Sequence, residues 1–231
     1  MIDLSEYYSG GYFLIRADKR DWPQLQTDLL PEKLISLSRC ICPRLEVYWG
    51  WTPGSREAAL EFGIPQDKLD EFIEWCRTGY TADLAVVSMF YSPETARRFI
   101  ERFLPDTTDL YLIGVGLHRS SEEMNWRYPS EGRVEGIEKQ IEQRISLAEG
   151  GTILGFEVVS FSYNDFGHSW YCNYTAEDLG TLFGIRPEQY GLIETHEQAQ
   201  QINNWIAQDP IRRGEAEPYD YWLLVSYPLT D

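Results

Sequence analysis

Hydrophobic positions recur along this chain at two spacings, one typical of strands and one typical of helices. Short apolar runs bounded by proline, glycine or polar residues predict strands, whereas apolar residues at i, i+3 and i+4 predict amphipathic helices. On this basis the strands lie at 12–16, 34–42, 45–51, 84–91, 110–117, 153–163 and 219–227. The helices begin near Pro65, Pro93, Val134, Thr175 and Thr195.

The clearest local unit is a strand–helix–strand arrangement between residues 84 and 117. Ser92 is a suitable N-cap, and Pro93 fits the first turn of the helix that follows. A right-handed crossover would make the two strands parallel if they share a sheet. The mixture of strands and helices predicts an α+β fold, with a mixed sheet and several packed amphipathic helices.

A polar, turn-rich stretch at 119–133, which contains Pro129 and Gly132, divides the pattern into two parts. We expect a strand-rich N-terminal part at 1–118, which includes the strand–helix–strand unit, and an α+β C-terminal part at 134–231. A chain of 231 residues also has a suitable length for one continuous domain, and this alternative stays open.

The charge of the chain limits its partners. The net charge is −17 and the isoelectric point is near 4.5. Nucleic acid and anionic membranes are therefore excluded as expected partners, because both are bound by clustered lysine and arginine. An acidic protein is suited to a basic protein partner, whose approach it accelerates by electrostatic steering. The alternative is that the acidic charge serves solubility alone.

The N-terminal residues and the number of cysteines indicate the cellular location of the protein. Met1 leads directly into a polar segment without a basic region followed by an apolar one, which argues against a secretory signal. The chain has no apolar run of the length that spans a membrane. Four cysteines are too few for a disulfide framework in a chain of this size. We therefore expect a cytoplasmic protein with reduced thiols, and predict neither a cofactor nor a particular oligomeric state.

The segment from Gly155 to Asp209 combines the highest acidity with many aromatic residues. It holds eight carboxylates against one arginine, a net charge of −7. Acidic and aromatic side chains together suit a contact surface for a basic protein. The alternative is that the aromatic residues are buried and the acids are solvated. The candidate contact residues are Asp165, Trp170, Tyr171, Glu177, Asp178, Glu188, Tyr190, Glu194 and Glu197.

The same segment contains a possible catalytic group. A thiol or hydroxyl nucleophile needs a nearby base, and a carboxylate can orient that base. Asp165, His168, Ser169 and Cys172 provide these types within eight residues, so the alternative function is a hydrolase with a site centred on His168. Catalytic partners usually come from different elements. A polar turn with a packed cysteine therefore explains the same pattern.

Metal and nucleotide motifs are incomplete. Cys40 and Cys42 would share one face of a strand, and His168 with Cys172 has a usable ligand spacing. Zinc sites usually contain closely spaced ligand pairs such as C-x-x-C, and the chain has no such pair. We therefore assign Cys40 and Cys42 to the core and predict no metal site. A glycine pair at 114–116 lacks the third glycine of a dinucleotide fingerprint.

Several short runs within the acidic segment are similar to the C-terminal part of immunity-type proteins found beside bacterial polymorphic or contact-dependent toxins. The runs are Gly155–Glu157 continuing to Tyr163, His168–Trp170, Cys172-Asn173, Phe183–Ile185, Tyr190–Ile193, and Thr195 with Ala199. The resemblance covers about 55 of the 231 residues. It implies a cytoplasmic, acidic α+β protein that binds a cognate toxin and blocks it without catalysis.

Overall fold

The chain forms one five-stranded sheet flanked by helices in this computed structural model, which describes residues 2–46, 55–78, 89–123, 136–162, 164–208 and 219–230. The strands are β1 (Tyr7–Arg16), β2 (Leu110–His118), β3 (Thr152–Ser162), β4 (Asp165–Ser169) and β5 (Tyr219–Tyr227). The helices are α1 (Ser55–Phe62), α2 (Leu69–Thr78), α3 (Pro93–Phe103), α4 (Gly136–Glu142), α5 (Trp170–Asn173), α6 (Ala176–Phe183) and α7 (His196–Ile206). The predicted α+β class is confirmed.

The sheet connects the N-terminal and C-terminal parts of the sequence. Its strand order is β1-β2-β5-β3-β4. The central pair joins β2 from the first part to β5 from the second, from Leu112 opposite Tyr227 to Leu117 opposite Trp222. Every pairing between the described strands is antiparallel, where the sequence analysis expects a mixed sheet.

Apolar side chains cover both faces of this sheet. In β1, Tyr12 and Leu14 belong to the core on one face, and the alternate residues Phe13 and Ile15 belong to the core on the other. The first core also takes in the buried residues of α1, α2, α3, α6 and α7, and the second takes in those of α4. Burial on both faces explains why the strands read as nearly continuous apolar runs.

Short polar side chains define where the helices begin. Ser92 caps α3, and the Thr195 hydroxyl accepts the Gln198 N–H at the start of α7. Thr175 and Asp178 form a reciprocal capping box at the start of α6. These caps are the ones that the sequence predicts, so the positions of the C-terminal helices follow from local chemistry.

Residues 34–46 form a loop, where the sequence predicts strands. Pro43 has no N–H for a strand ladder, and the Leu37 N–H donates to the Glu157 carboxyl group instead of to a neighbouring strand. Most apolar side chains of this 34–46 loop are buried. Their burial against the sheet produces a strand-like apolar pattern, but the loop pairs with β1 at only one bridge, where Arg44 lies opposite Ile15.

The remaining strand predictions fall into two groups. Those at 12–16, 110–117, 153–163 and 219–227 correspond to β1, β2, β3 and β5. Those at 45–51 and 84–91 lie mostly outside the described residues, as does Tyr163.

Candidate functional site

Glu157 of β3 fixes the first half of the 34–46 loop to the sheet. Its buried carboxyl group accepts hydrogen bonds from the Ser36 hydroxyl and, at 2.7 Å, from the Leu37 N–H. Burial raises the pKa of Glu157 to about 7, and the two hydrogen bonds oppose this effect. This segment of the loop therefore has a defined position above β3.

Arg44 fixes the second half of the loop. Its fully buried guanidinium donates to the Leu37 carbonyl at 2.8 Å, to Asp165 Oδ1 at 2.6 Å and to Glu46 Oε1 at 3.2 Å. Arg39 lies 3.5 to 3.6 Å from the same two carboxylates. Because Asp165 begins β4, this ion-pair network ties the loop to that strand.

Three potential ligand groups meet where the 34–46 loop lies against β4 and α5. They are Cys40 from the loop, His168 from β4 and Cys172 from α5, and their sulfur and ring nitrogen atoms all lie within 4.8 Å of one another. The separation of Cys40 Sγ and His168 Nδ1 is 3.9 Å, and Ser38 Oγ lies 3.6 Å from Cys172 Sγ. We call the three residues the thiol–imidazole cluster. Among the described residues it is the only group of three or more His, Cys, Asp or Glu side chains with donor atoms so close.

The two thiols of the cluster differ in acidity. The hydrogen bond with Cys172 lowers the pKa of Cys40 to about 5, the His168 ring acts in the same direction, and burial opposes both. The same hydrogen bond, together with burial, raises the pKa of Cys172. Cys40 is therefore the more acidic thiol of the pair.

A cavity of about 620 Å³ opens beside Cys40. Arg20, Arg39 and Arg44 contribute to its wall, and Phe62 provides apolar surface. Glu46 and Glu61 also line the cavity, so its wall carries charges of both signs beside the Cys40 side chain.

Sequence reasoning missed the thiol–imidazole cluster because Cys40 is distant in the chain from His168 and Cys172. Cys42 is buried as predicted, but Cys40 is only half-buried and contacts His168, from which it is separated by 128 positions. The spacing of His168 and Cys172 was the available local signal. The third member becomes visible only when the 34–46 loop folds over β4.

The alternative catalytic set of Asp165, His168, Ser169 and Cys172 does not assemble as one site. Asp165 is bound by Arg44, and Ser169 is fully buried at the end of β4. A buried hydroxyl is not accessible to an external substrate. Cys40, which the set omits, takes the position beside His168.

The three aromatic residues of the predicted contact set have structural roles. Trp170 and Tyr171 are only 3% and 7% exposed, and the Tyr171 hydroxyl donates to the Gly191 carbonyl at 2.7 Å. Tyr190 is half-buried, and its hydroxyl lies 2.8 Å from that of Tyr111. Trp170 and Tyr171 belong to the core and do not form a contact surface.

The carboxylates of the acidic segment have several different environments. Glu157 and Asp165 hold the 34–46 loop, and Asp178 belongs to the capping box of α6. Asp209 lies outside the described residues. The exposed members are Glu177, Glu188, Glu194 and Glu197.

A shallow groove of about 500 Å³ is lined by residues of α6 and α7. Leu182 and Phe183 come from α6, and Trp205 and Glu197 come from α7, where side-chain amides complete the wall. Leu182 is 45% exposed, whereas Phe183 packs edge-to-face on Trp205 with ring centroids 5.8 Å apart. We call this the α6–α7 groove. It combines apolar surface with a nearby carboxylate.

Comparison of the chain with family models, curated proteins and solved structures gave no significant match. The resemblance to immunity-type proteins therefore stays a prediction. In the part of the chain that the structure describes, none of the helices has the length and apolar character needed to cross a membrane.

Proposed function

We propose that this protein is a non-catalytic, cytoplasmic binding protein that holds a basic protein partner at the α6–α7 groove. The observation that carries the proposal is the exposure of Leu182 beside Glu197 in a segment with a strong excess of carboxylates. The resemblance to immunity-type proteins supports a toxin as that partner, and the bound protein would be blocked by occupation of its surface.

The chemistry of the groove suits such a contact. Apolar anchors such as Leu182 and Trp205 supply binding free energy when a partner covers them. Exposed carboxylates at the rim speed association with a basic surface. Glu177 and Glu197 lie in the first turns of α6 and α7, where they also interact favourably with the helix dipoles. Glu197 lines the groove and Glu177 belongs to the surrounding acidic segment, and both positions are compatible with stable helices.

Affinity capture from a lysate of the source organism tests this proposal. The immobilised wild-type protein should retain a basic protein at about 50 mM salt and release it by about 500 mM, because salt screens exposed charges. Leu182→Ser should lower the retention by removing an anchor. The double substitution Glu177→Gln with Glu197→Gln should slow association. The readouts are mass spectrometry of the eluate and association kinetics of the purified pair.

Matched variants elsewhere on the surface provide the control. Leu60 of α1 is 38% exposed, and Glu57 and Glu101 are exposed on α1 and α3. Leu60→Ser and the pair Glu57→Gln with Glu101→Gln should leave capture unchanged. Equal losses in both sets of variants, or the absence of any retained basic protein sensitive to salt, would contradict the proposal.

The second candidate function is a hydrolase, and the contact between Cys40 and His168 beside the cavity favours it. The nucleophile would be Cys40 in place of Cys172 or Ser169, with His168 as the base. Hydrolysis of an activated ester should then disappear in Cys40→Ser and persist in Cys172→Ala. Unchanged turnover in Cys40→Ser would exclude this function.

A further inference from the structure

We propose that Cys40, His168 and Cys172 bind one zinc ion, with a fourth coordination position left for water or another small ligand. This site is independent of the α6–α7 groove. It lies where the 34–46 loop meets the continuous segment that forms β4 and α5, so it is complete only in the folded chain.

The separations between the donor atoms fit a tetrahedral zinc ion. Zinc–sulfur and zinc–nitrogen bonds at tetrahedral angles place sulfur and nitrogen about 3.6 Å apart, and two sulfurs about 3.8 Å apart. Cys40 Sγ and His168 Nδ1 are 3.9 Å apart, and all three donors lie within 4.8 Å. Small side-chain rotations are therefore enough to bring the three atoms around one ion.

The donor types select the metal. Two thiolates and one imidazole suit zinc, whereas calcium and magnesium prefer oxygen ligands. Three protein ligands with one open position are a usual zinc arrangement. Two deprotonated cysteines would balance the charge of the ion, which makes the bound state locally neutral.

The charged side chains around the cluster do not strongly oppose the binding of a cation. Arg39 and Arg44, which lie close to Cys40 in the chain, are both paired with Glu46 and Asp165. These two cations and two anions cancel. The ion would therefore meet the cluster without a net positive field from this network.

The polypeptide supports each ligand from a different direction. Arg44 and Glu157 hold the 34–46 loop that carries Cys40. The backbone N–H of His168 donates to Ser160 Oγ at 2.7 Å, which fixes β4 at the histidine. Cys172 lies within α5. His168 is exposed, so an ion can reach the cluster from solvent.

Titration of the reduced, purified protein with Co²⁺, a spectroscopic substitute for zinc, tests this site. The wild type should bind one ion with a thiolate-to-cobalt charge-transfer band and the intense visible bands of tetrahedral cobalt. Added zinc should abolish both. Cys40→Ser, His168→Ala and Cys172→Ser should each weaken binding at least about tenfold, because each removes a ligand.

A cysteine outside the cluster supplies the matched control. Cys76 is a buried cysteine of α2, and Cys76→Ala should retain the cobalt spectrum. Circular dichroism of each variant confirms that it is folded, and His168→Ala changes an exposed side chain whose loss leaves the core intact. A wild type without a charge-transfer band, or a cobalt affinity equal to that of the wild type in folded Cys172→Ser and His168→Ala, would overturn the proposal. The requirement for Cys172 also separates zinc binding from the hydrolase, which needs Cys40 and His168 only.

Discussion

The buried carboxyl groups of Glu157 and Asp220 lie on the neighbouring strands β3 and β5, and Glu157 also contacts the 34–46 loop. Burial raises the pKa of each to about 7. Arg44 lowers the pKa of Glu157 but does not offset the burial. Both groups favour the protonated state in the folded protein.

This arrangement predicts a stability that falls as the pH rises. Each carboxyl group has a higher pKa in the folded protein than in the unfolded chain. Its contribution to stability is therefore complete below about pH 4 and is lost as the pH rises through about 7. For Glu157 the loss is on the order of 3 kcal/mol. Glu157→Gln keeps an uncharged group that can hydrogen-bond to Ser36 and Leu37. It should therefore be more stable than the wild type at pH 8 and similar at pH 4.5.

Urea denaturation of both proteins across this pH range provides the measurement. Asp220→Asn should flatten the profile in the same direction, and the double variant should flatten it further. Parallel pH profiles for the wild type and Glu157→Gln would show that this carboxyl group does not titrate in the folded protein as described.

At the residue scale, the sequence identifies chemical types better than their environments. Trp170 and Tyr171 are suitable contact residues by type, but the fold places both in the core. Cys40 is a suitable core residue by type, but the 34–46 loop places it beside His168. Burial depends on contacts between distant segments, which local periodicity does not encode.

At the element scale, α6 depends on its capping box. Thr175 Oγ1 accepts the Asp178 N–H at 3.2 Å, and the Asp178 carboxylate accepts the Thr175 N–H at 2.7 Å. Thr175→Ala should lower the free energy of unfolding by about 1 kcal/mol, because the Asp178 N–H at the helix start loses its acceptor. Thermal and urea denaturation measure this change.

Thr181 offers a control within the same helix, since it is exposed and lies away from the cap. Thr181→Ala should be neutral or slightly stabilising, because alanine has the higher helix propensity. A loss of stability in Thr181→Ala equal to that in Thr175→Ala would mean that the effect does not arise from capping.

The success of sequence reasoning at this scale follows from the same local chemistry. Thr175, Thr195 and Ser92 predict their helices because an N-cap acts within three residues. The 34–46 loop was predicted as strands because its apolar residues are buried. Apart from one bridge to β1, its backbone bonds to side chains such as Glu157, which lie far along the chain and cannot be inferred from the loop itself.

At the scale of the whole molecule, one antiparallel sheet joins the two parts of the sequence through the pairing of β2 with β5. The α+β class follows from the mixture of apolar patterns, but the strand order does not, because β5 is the last strand in the chain and lies at the centre of the sheet. The fold separates two candidate regions. The thiol–imidazole cluster lies at the 34–46 loop, and the α6–α7 groove is formed by two helices of the acidic segment.

Hydrogen exchange of the free protein and of its complex with the captured basic partner tests the proposed contact most directly. Binding at the α6–α7 groove should slow backbone exchange in 176–183 and 196–206, because a docked partner excludes water and suppresses local opening of these helices. Exchange in α1 and α2 should stay as in the free protein. Protection confined to the 34–46 loop and β4, with α6 and α7 unchanged, would contradict the groove as the binding surface.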